Sequence, residues 1–156
     1  MPSSRTTESG ELGAEIVPVS VPQRKRDPLL VSTDEEFRKV KFEKIPQLRA
    51  AFSKDGTVTA ANASTINDGA SALVLVSKEK AEALGLKPIA KILSFADAAQ
   101  APEWFTTTPP LAARKALQLA GMQTSDIDYY EVNEAFAVVT MAFNQEMGLS
   151  EDQVNV

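Results

Sequence analysis

The sequence predicts an α/β layered fold with helices against a largely buried sheet, and three observations carry that reading. From residue 57 onward, short apolar or β-branched runs alternate with stretches of helical periodicity. Each helical stretch is punctuated by residues with a physical reason to start or stop a helix: Ser77 and Gly85, Thr106 to Pro110 and Gly121, and Gly148. The run Ala70 to Val76 is apolar on both faces, as a strand covered on both sides must be. The order expected from residue 57 is strand, strand, helix, strand, helix, strand, helix.

The elements follow in turn. Residues 1–14 are polar and rich in Ser, Thr and Glu, and read as a frayed end. Ile16 to Val21 alternates between prolines and reads as a short edge strand, with Leu29-Leu30-Val31 a second. Asp34 to Phe42 is polar, with Phe37, Val40 and Phe42 expected to face inward. Pro46 is placed to start a short helix carrying Leu48 and Phe52, because proline fits a first helical turn. Asp55-Gly56 is a turn, Thr57 to Thr59 a strand running into small residues, and Asn67-Asp68-Gly69 a further turn signal. Ala70 to Val76 is a buried strand. Ser77 caps a helix over Lys78 to Leu84, and Pro88 to Phe95 is the next strand. Thr106-Thr107-Thr108-Pro109-Pro110 supplies a cap and first-turn prolines for a helix to Ala120, which Gly121 stops. Ile127 to Val132 is a strand, and Asn133 opens a helix with Phe136, Val139, Thr140, Phe143 and Met147 at helical spacing.

Composition narrows the function. Hydrophobic residues make up 44% of the 156 and charged residues 24%, as in a soluble globular protein. No apolar run reaches the roughly 20 residues that cross a bilayer, and the opening residues lack a secretory apolar core, so a cytoplasmic or organelle-matrix location is expected. There is no Cys and no His, which removes disulfides, thiolate metal sites and the usual general base. Charge is uneven: residues 1–56 carry ten bases and nine acids, residues 57–156 six bases and twelve acids. The acidic remainder argues against nucleic acid as a partner. The local basic groups Arg24-Lys25-Arg26 and Arg38-Lys39 with Lys41 and Lys44 suit either a small polyphosphate ligand or a solvated surface.

Two blocks without charge or nucleophile stand out. In Ala60-Ala61-Asn62-Ala63-Ser64, tiny side chains leave backbone carbonyls and amides open to a ligand, with a hydroxyl beside them. The plainer reading is a tight turn before a helix capped by Ser64 or Asn67. Asn133 lies between a predicted strand and a predicted helix, where open α/β sheets bind ligands and where developing negative charge is favoured; it also suits a helix cap. Glu134 reads as an acid–base group or a partner of the helix dipole. Phe136 reads as the lining of an acyl slot or as core, and Trp104 and Phe105 as core.

Taken together, Thr57 to Val76, the stretch Asp128 to Ala137 with its Val-Asn-Glu-Ala-Phe-Ala wording, Glu15 to Val19, Ile89 to Ala98 and the terminal Val154-Asn155-Val156 resemble the thiolase family in order and spacing. The resemblance implies a partial thiolase-like layered fold: 1–56 a segment at the end of the loop domain, 57–87 the closing part of the N-terminal half, and 88–156 the opening part of the C-terminal half. Within the family the wording Thr-Ala-Ala-Asn-Ala-Ser-Thr-Ile-Asn-Asp-Gly is most similar to potassium-responsive mitochondrial acetyl-CoA acetyltransferases. It implies acyltransferase chemistry on acetyl-CoA and acetoacetyl-CoA, within fatty acid or ketone body metabolism, in the mitochondrial matrix or alternatively the cytoplasm, by a parent homodimer or homotetramer. Rivals are a non-catalytic truncated form that associates with full-length subunits, and a related condensing or sterol-carrier-type thiolase.

By the same resemblance, Ser64 contacts coenzyme A, and Ala60, Ala61 and Ala63 offer carbonyls to a potassium ion. Lys39, Val40, Lys41 and Lys44 meet the nucleotide end of the coenzyme, although Lys41 departs from the acid seen in similar sequences. Asn133 polarises a thioester oxygen through a water, and Phe136 lines the acyl and pantetheine channel. The family's acyl-accepting Cys, its Gly-His-Pro loop and its second Cys have no counterpart here. Without a thiolate and a base the condensation has no mechanism. The 156-residue chain alone is therefore expected to show no thiolysis of acetoacetyl-CoA above background in a coupled spectrophotometric assay; turnover by a tag-free sample would demand another nucleophile.

Overall fold

The computed structural model describes residues 7–156, apart from the side chains of residues 36 and 37. The expectations for residues 1–6 and for an inward Phe37 fall outside that set. The chain forms two compact units, Met1–Leu48 and Arg49–Val156.

In the first unit the second short strand appears as read, while the first, expected over Ile16 to Val21, is confined to the three residues after Pro18. β1 (Val19–Val21) and β2 (Leu29–Val31) pair antiparallel, with Val19 opposite Val31 and Val21 opposite Leu29. Pro18, Pro22 and Pro28 bound them because proline has no N–H to donate to a ladder. Single 3₁₀ turns follow at Glu36–Lys39 and Phe42–Gln47. The helix expected from Pro46 is not formed: Pro46 lies inside the second of these turns, and the chain is extended by Leu48. The segment ends at Gln47 with Leu48 extended, its N–H donating to the Ile45 carbonyl, so no α-helix carries Leu48 and Phe52. Val40 and Phe42 are exposed, contrary to the inward facing expected of them.

The second unit holds the helices. α1 (Lys78–Ala83) begins where expected, with the Ser77 hydroxyl accepting from the Lys80 N–H at 3.2 Å. α2 (Thr108–Ala120) and α3 (Ala137–Met147) both end in a left-handed glycine, Gly121 at φ 69° and Gly148 at φ 68°, where a side chain would be strained. Pro109 and Pro110 sit in the first turn of α2, where no N–H is required. The Thr107 and Thr108 hydroxyls do not cap it. They donate backward to the Trp104 carbonyl, closing a 3₁₀ segment, Pro102–Thr107. Trp104 is exposed rather than core.

The predicted strands of this unit fare differently. Asp55-Gly56 does turn, the Gly56 N–H donating to the Ser53 carbonyl at 3.0 Å, but Thr57–Thr59, Ala70–Val76 and Pro88–Phe95 pair with no described strand. Leu73 and Val74 are 87% and 89% exposed, so the expectation of a buried strand over Ala70–Val76 is overturned. Asn67-Asp68-Gly69 forms no turn. A strand exists only through hydrogen bonds to a neighbour; an apolar run encodes a demand for cover, not the identity of the cover. Ile127–Val132 is reduced to one parallel bridge, Tyr130 to Val154.

What is buried gathers around α3. Val139, Phe143 and Met147, at the predicted spacing, pack with Val132 and Val154, and Leu117 of α2 and Tyr130 lean on them. Tyr130 meets Phe143 edge-on at 5.6 Å between ring centroids, and its hydroxyl donates to the Thr124 carbonyl. Burial pushes the Tyr130 phenol above its ordinary pKa. Arg114 of α2 donates to the Glu146 carbonyl and pairs with its carboxylate at 3.3 Å, tying α2 to the last turn of α3.

With Leu73, Val74, Leu75, Ile89 and Phe95 all exposed, the chain leaves wet apolar surface worth about 25 cal/mol per Å² when covered. Concentration-dependent self-association in analytical ultracentrifugation, with dye binding to exposed apolar surface, is the expected behaviour. A monomer at micromolar concentration melting cooperatively above about 60 °C would contradict it.

Candidate functional site

The two blocks singled out in the sequence come together. Ala63 bridges antiparallel to Phe136: the Ser64 N–H donates to the Ala135 carbonyl at 2.9 Å, and the Ala137 N–H donates to the Asn62 carbonyl at 2.9 Å. Ala137 is the first residue of α3, so this second bond satisfies one of the N–H groups that a helix N-terminus leaves open.

Asn62 shapes the turn. Its Oδ1 accepts from the Thr59 N–H at 2.7 Å, its Nδ2 donates to the Thr57 carbonyl at 3.0 Å, and its own N–H donates to the Thr59 carbonyl at 3.2 Å. The side chain thus holds its own backbone and not a ligand. The turn reading of Ala60 to Ser64 is borne out, but no helix follows it. The carbonyls of Ala60, Ala61 and Ala63 accept no hydrogen bond from any described residue. Ser64 is exposed, with its hydroxyl donating to the Thr65 carbonyl at 3.3 Å.

Asn133 does not open a helix. α3 begins at Ala137 with Phe136 as its extended N-cap, so Asn133 and Glu134 lie ahead of it and neither caps it nor meets its first turn. Phe136 to Ala137 is where Asn62 holds the backbone, which fixes the helix start later than the sequence suggests. Asn133 is exposed, and its carboxamide makes no hydrogen bond with a described residue. Its neighbours are held: Val132 is buried, and Glu134 accepts from Asn155 Nδ2 at 2.8 Å.

Phe136 is half-buried at the centre of an aromatic group, meeting Phe52 edge-on at 5.6 Å and Phe105 at 6.1 Å. Phe52 and Phe105 each leave much of their ring exposed. This gives a rigid apolar wall beside the Ala60–Ser64 turn, suited to an acyl or alkyl chain. A shallow depression of about 430 Å³ is lined by Phe105 together with Asp97, Gln100 and Pro109.

The remaining expected ligand contacts lie in the first unit. Lys39 ends one 3₁₀ turn, pairing with Glu35 at 3.8 Å. Val40, Lys41 and Lys44 follow it, exposed, around the second turn. Glu43 lies between Lys41 and Lys44, so acids and bases alternate along this short exposed segment. Among the described residues no cluster of His, Cys, Asp or Glu is arranged to hold a metal ion, and no helix is long and apolar enough to cross a membrane. The residue that sequence reasoning missed is Asn155, whose side chain grips Val132; its signal was an Asn in the left-handed region, invisible without coordinates.

Removing the Asn62 side chain is expected to free the turn. Asn62→Ala should destabilise the fold by about 1–2 kcal/mol, the net value of two local hydrogen bonds, measured by urea titration. Asn62→Asp, which keeps the acceptor to Thr59 only, should fall between.

Comparison with known proteins places these features in a family. Residues 3–79 match the family described as Thiolase, N-terminal domain, and residues 86–156 that described as Thiolase, C-terminal domain. A mitochondrial acetyl-CoA acetyltransferase of Danio rerio is 50% identical over 155 residues, covering 99% of this chain and 37% of that protein. A cytosolic acetyl-CoA acetyltransferase of Gibberella zeae is 49% identical over 151 residues, 96% of this chain and 38% of that protein. Among solved structures, the Acat5 thiolase of Ascaris suum in complex with coenzyme A superposes with a TM-score of 0.82 at 44% identity, over 97% of this chain and 38% of that one. The chain thus spans under two-fifths of the length of these relatives, and its backbone follows their α/β fold.

Proposed function

This chain belongs to the thiolase family, and we propose that it is the segment of an acetyl-CoA C-acetyltransferase that supplies one wall of the coenzyme site and one oxyanion group. The observation that supports this reading is the meeting of the Ala60–Ser64 turn with the Asn133–Ala137 loop, which gathers a hydroxyl, free carbonyls, an apolar wall and an unpaired carboxamide. The division into a loop-domain segment over 1–56, a closing segment over 57–87 and an opening segment over 88–156 belongs to the same reading.

In the condensation, one acetyl-CoA loses an α-proton and its carbon attacks the acyl carbon of the other acetyl group. A carbon–carbon bond forms, a thioester carbon–sulfur bond breaks, and coenzyme A leaves; thiolysis is the reverse. The chain has no Cys or His, so the acyl-carrying thiolate and the base come from other residues of the parent. The contribution of Asn133 is electrostatic: its Nδ2–H groups donate through a water to the thioester oxygen, where negative charge develops as the α-proton departs. An unpaired, exposed carboxamide on a held backbone is suited to that task because it spends no bond on the protein. Phe136 lines the acyl and pantetheine channel, Ser64 donates to the coenzyme, and Lys39, Lys41 and Lys44, with Val40 between them, meet its phosphates.

The free carbonyls of Ala60, Ala61 and Ala63 fit a large monovalent cation, whose ligands are neutral oxygens, better than a divalent metal with charged ones. Potassium held there would rigidify the turn beside the coenzyme. A matrix location, with the cytosol as alternative, and a parent homodimer or homotetramer complete the reading; relatives of both locations are similar to this chain. The alternative of a non-catalytic form that associates with full-length subunits is favoured by one observation, the exposed apolar run at Leu73 to Leu75.

Grafted in place of the matching segment of the Danio rerio relative, the chain carrying Asn133→Ala should turn over about 10²–10³-fold more slowly, the size expected for one oxyanion donor, with coenzyme A binding little changed. Undiminished turnover would remove Asn133 from the mechanism.

A further inference from the structure

We propose that Asn155 is a positioning residue that fixes the backbone of Asn133; the catalytic part of this inference rests on the oxyanion reading of Asn133. Three observations carry it. Asn155 Oδ1 accepts from the Val132 N–H at 2.7 Å, and Asn155 Nδ2 donates to the Val132 carbonyl at 2.9 Å and to Glu134 Oε1 at 2.8 Å. The carboxamide therefore engages the residues on both sides of Asn133 and leaves Asn133 itself free. It also extends a ladder: the Tyr130 N–H donates to the Gln153 carbonyl at 2.8 Å and the Asn155 N–H to the Tyr130 carbonyl at 2.9 Å. Where the next peptide unit of a parallel strand would continue that ladder, the side chain takes its place, offering an acceptor and a donor to Val132. This requires Asn155 to turn its backbone out of the strand, and it does so at φ 54°, the one non-glycine residue with positive φ among those described. Asn tolerates that conformation better than other side chains, and it alone combines the tolerance with a donor and an acceptor at this reach; Asp lacks the donor.

The consequence is a loop whose flanks are immobilised by a single side chain. Rotation of the Val132–Asn133 peptide would break the bond to the Val132 carbonyl, and rotation of the peptide before it the bond from the Val132 N–H, each in a part-buried setting where an orphaned carbonyl or N–H is costly. Asn133 is held in direction while its own amide stays available.

The test uses Asn155→Gly, because glycine adopts the same φ without strain and so removes the clamp alone. Hydrogen–deuterium exchange of the whole chain, read by mass spectrometry, should show the peptide spanning Val132 to Glu134 exchanging about tenfold faster, as for loss of one net hydrogen bond. Peptides from α3 should be unchanged. Unaltered exchange at Val132 would overturn the proposal, and acceleration spread equally through α3 would mark a general structural role and overturn it too. In the Danio rerio graft, Asn155→Gly should lower kcat with the KM for acetoacetyl-CoA and coenzyme A unchanged, and should add nothing to Asn133→Ala. Additive losses would overturn the link to Asn133. Should Asn133→Ala leave turnover intact, the oxyanion reading fails, while exchange at Val132 still decides the clamp.

Discussion

Two backbone hydrogen bonds, Ser64 to Ala135 and Ala137 to Asn62, join the two segments of the second unit on which the proposed site depends. They join segments far apart in sequence, so their formation costs loop entropy that local turns do not incur. The cost is met because several needs are satisfied at one place. The first N–H of α3 finds an acceptor, the Ala60–Ser64 turn finds a partner, and Phe136 is delivered to Phe52 and Phe105.

From that junction the rest follows in both directions. Toward the C-terminus, α3 is fixed at its start by Asn62 and near its end by Arg114, and its inward face builds the core with Val132 and Val154. Toward the N-terminus of α3, the loop over Asn133 is stretched between the junction and the Asn155 clamp. The loop is thus tethered at both ends while Asn133 stays exposed, the arrangement that the proposed electrostatic role calls for. Charge is divided along the chain in a matching way. Residues 57–156 carry twice as many acids as bases, whereas the bases proposed to meet phosphate lie within the first 56 residues, where the two signs nearly balance.

Local chemistry was legible in the sequence. Ser77, Gly121 and Gly148 announced helix ends because capping and left-handed termination act within a few residues, and the spacing of Val139, Phe143 and Met147 announced the buried face of α3 for the same reason. The prolines bounding β1 and β2 worked likewise. The tight turn at Asn62 could be read too, because an Asn side chain satisfies its own backbone.

What only the tertiary structure decided depends on partners distant in the chain. Apolarity at Ala70–Val76 stated a need for cover, but nothing local states what supplies it, and no described residue does. The start of α3 moved from Asn133 to Ala137 because the acceptor for its first N–H is the Asn62 carbonyl, a residue no window around the helix contains. Asn155 reads as one polar residue among several until its backbone turns left-handed and its carboxamide reaches Val132. The sequence by itself determined the punctuation of helices and the turn beside the proposed ligand; hydrogen bonds that close long loops decided which residues stand free to act.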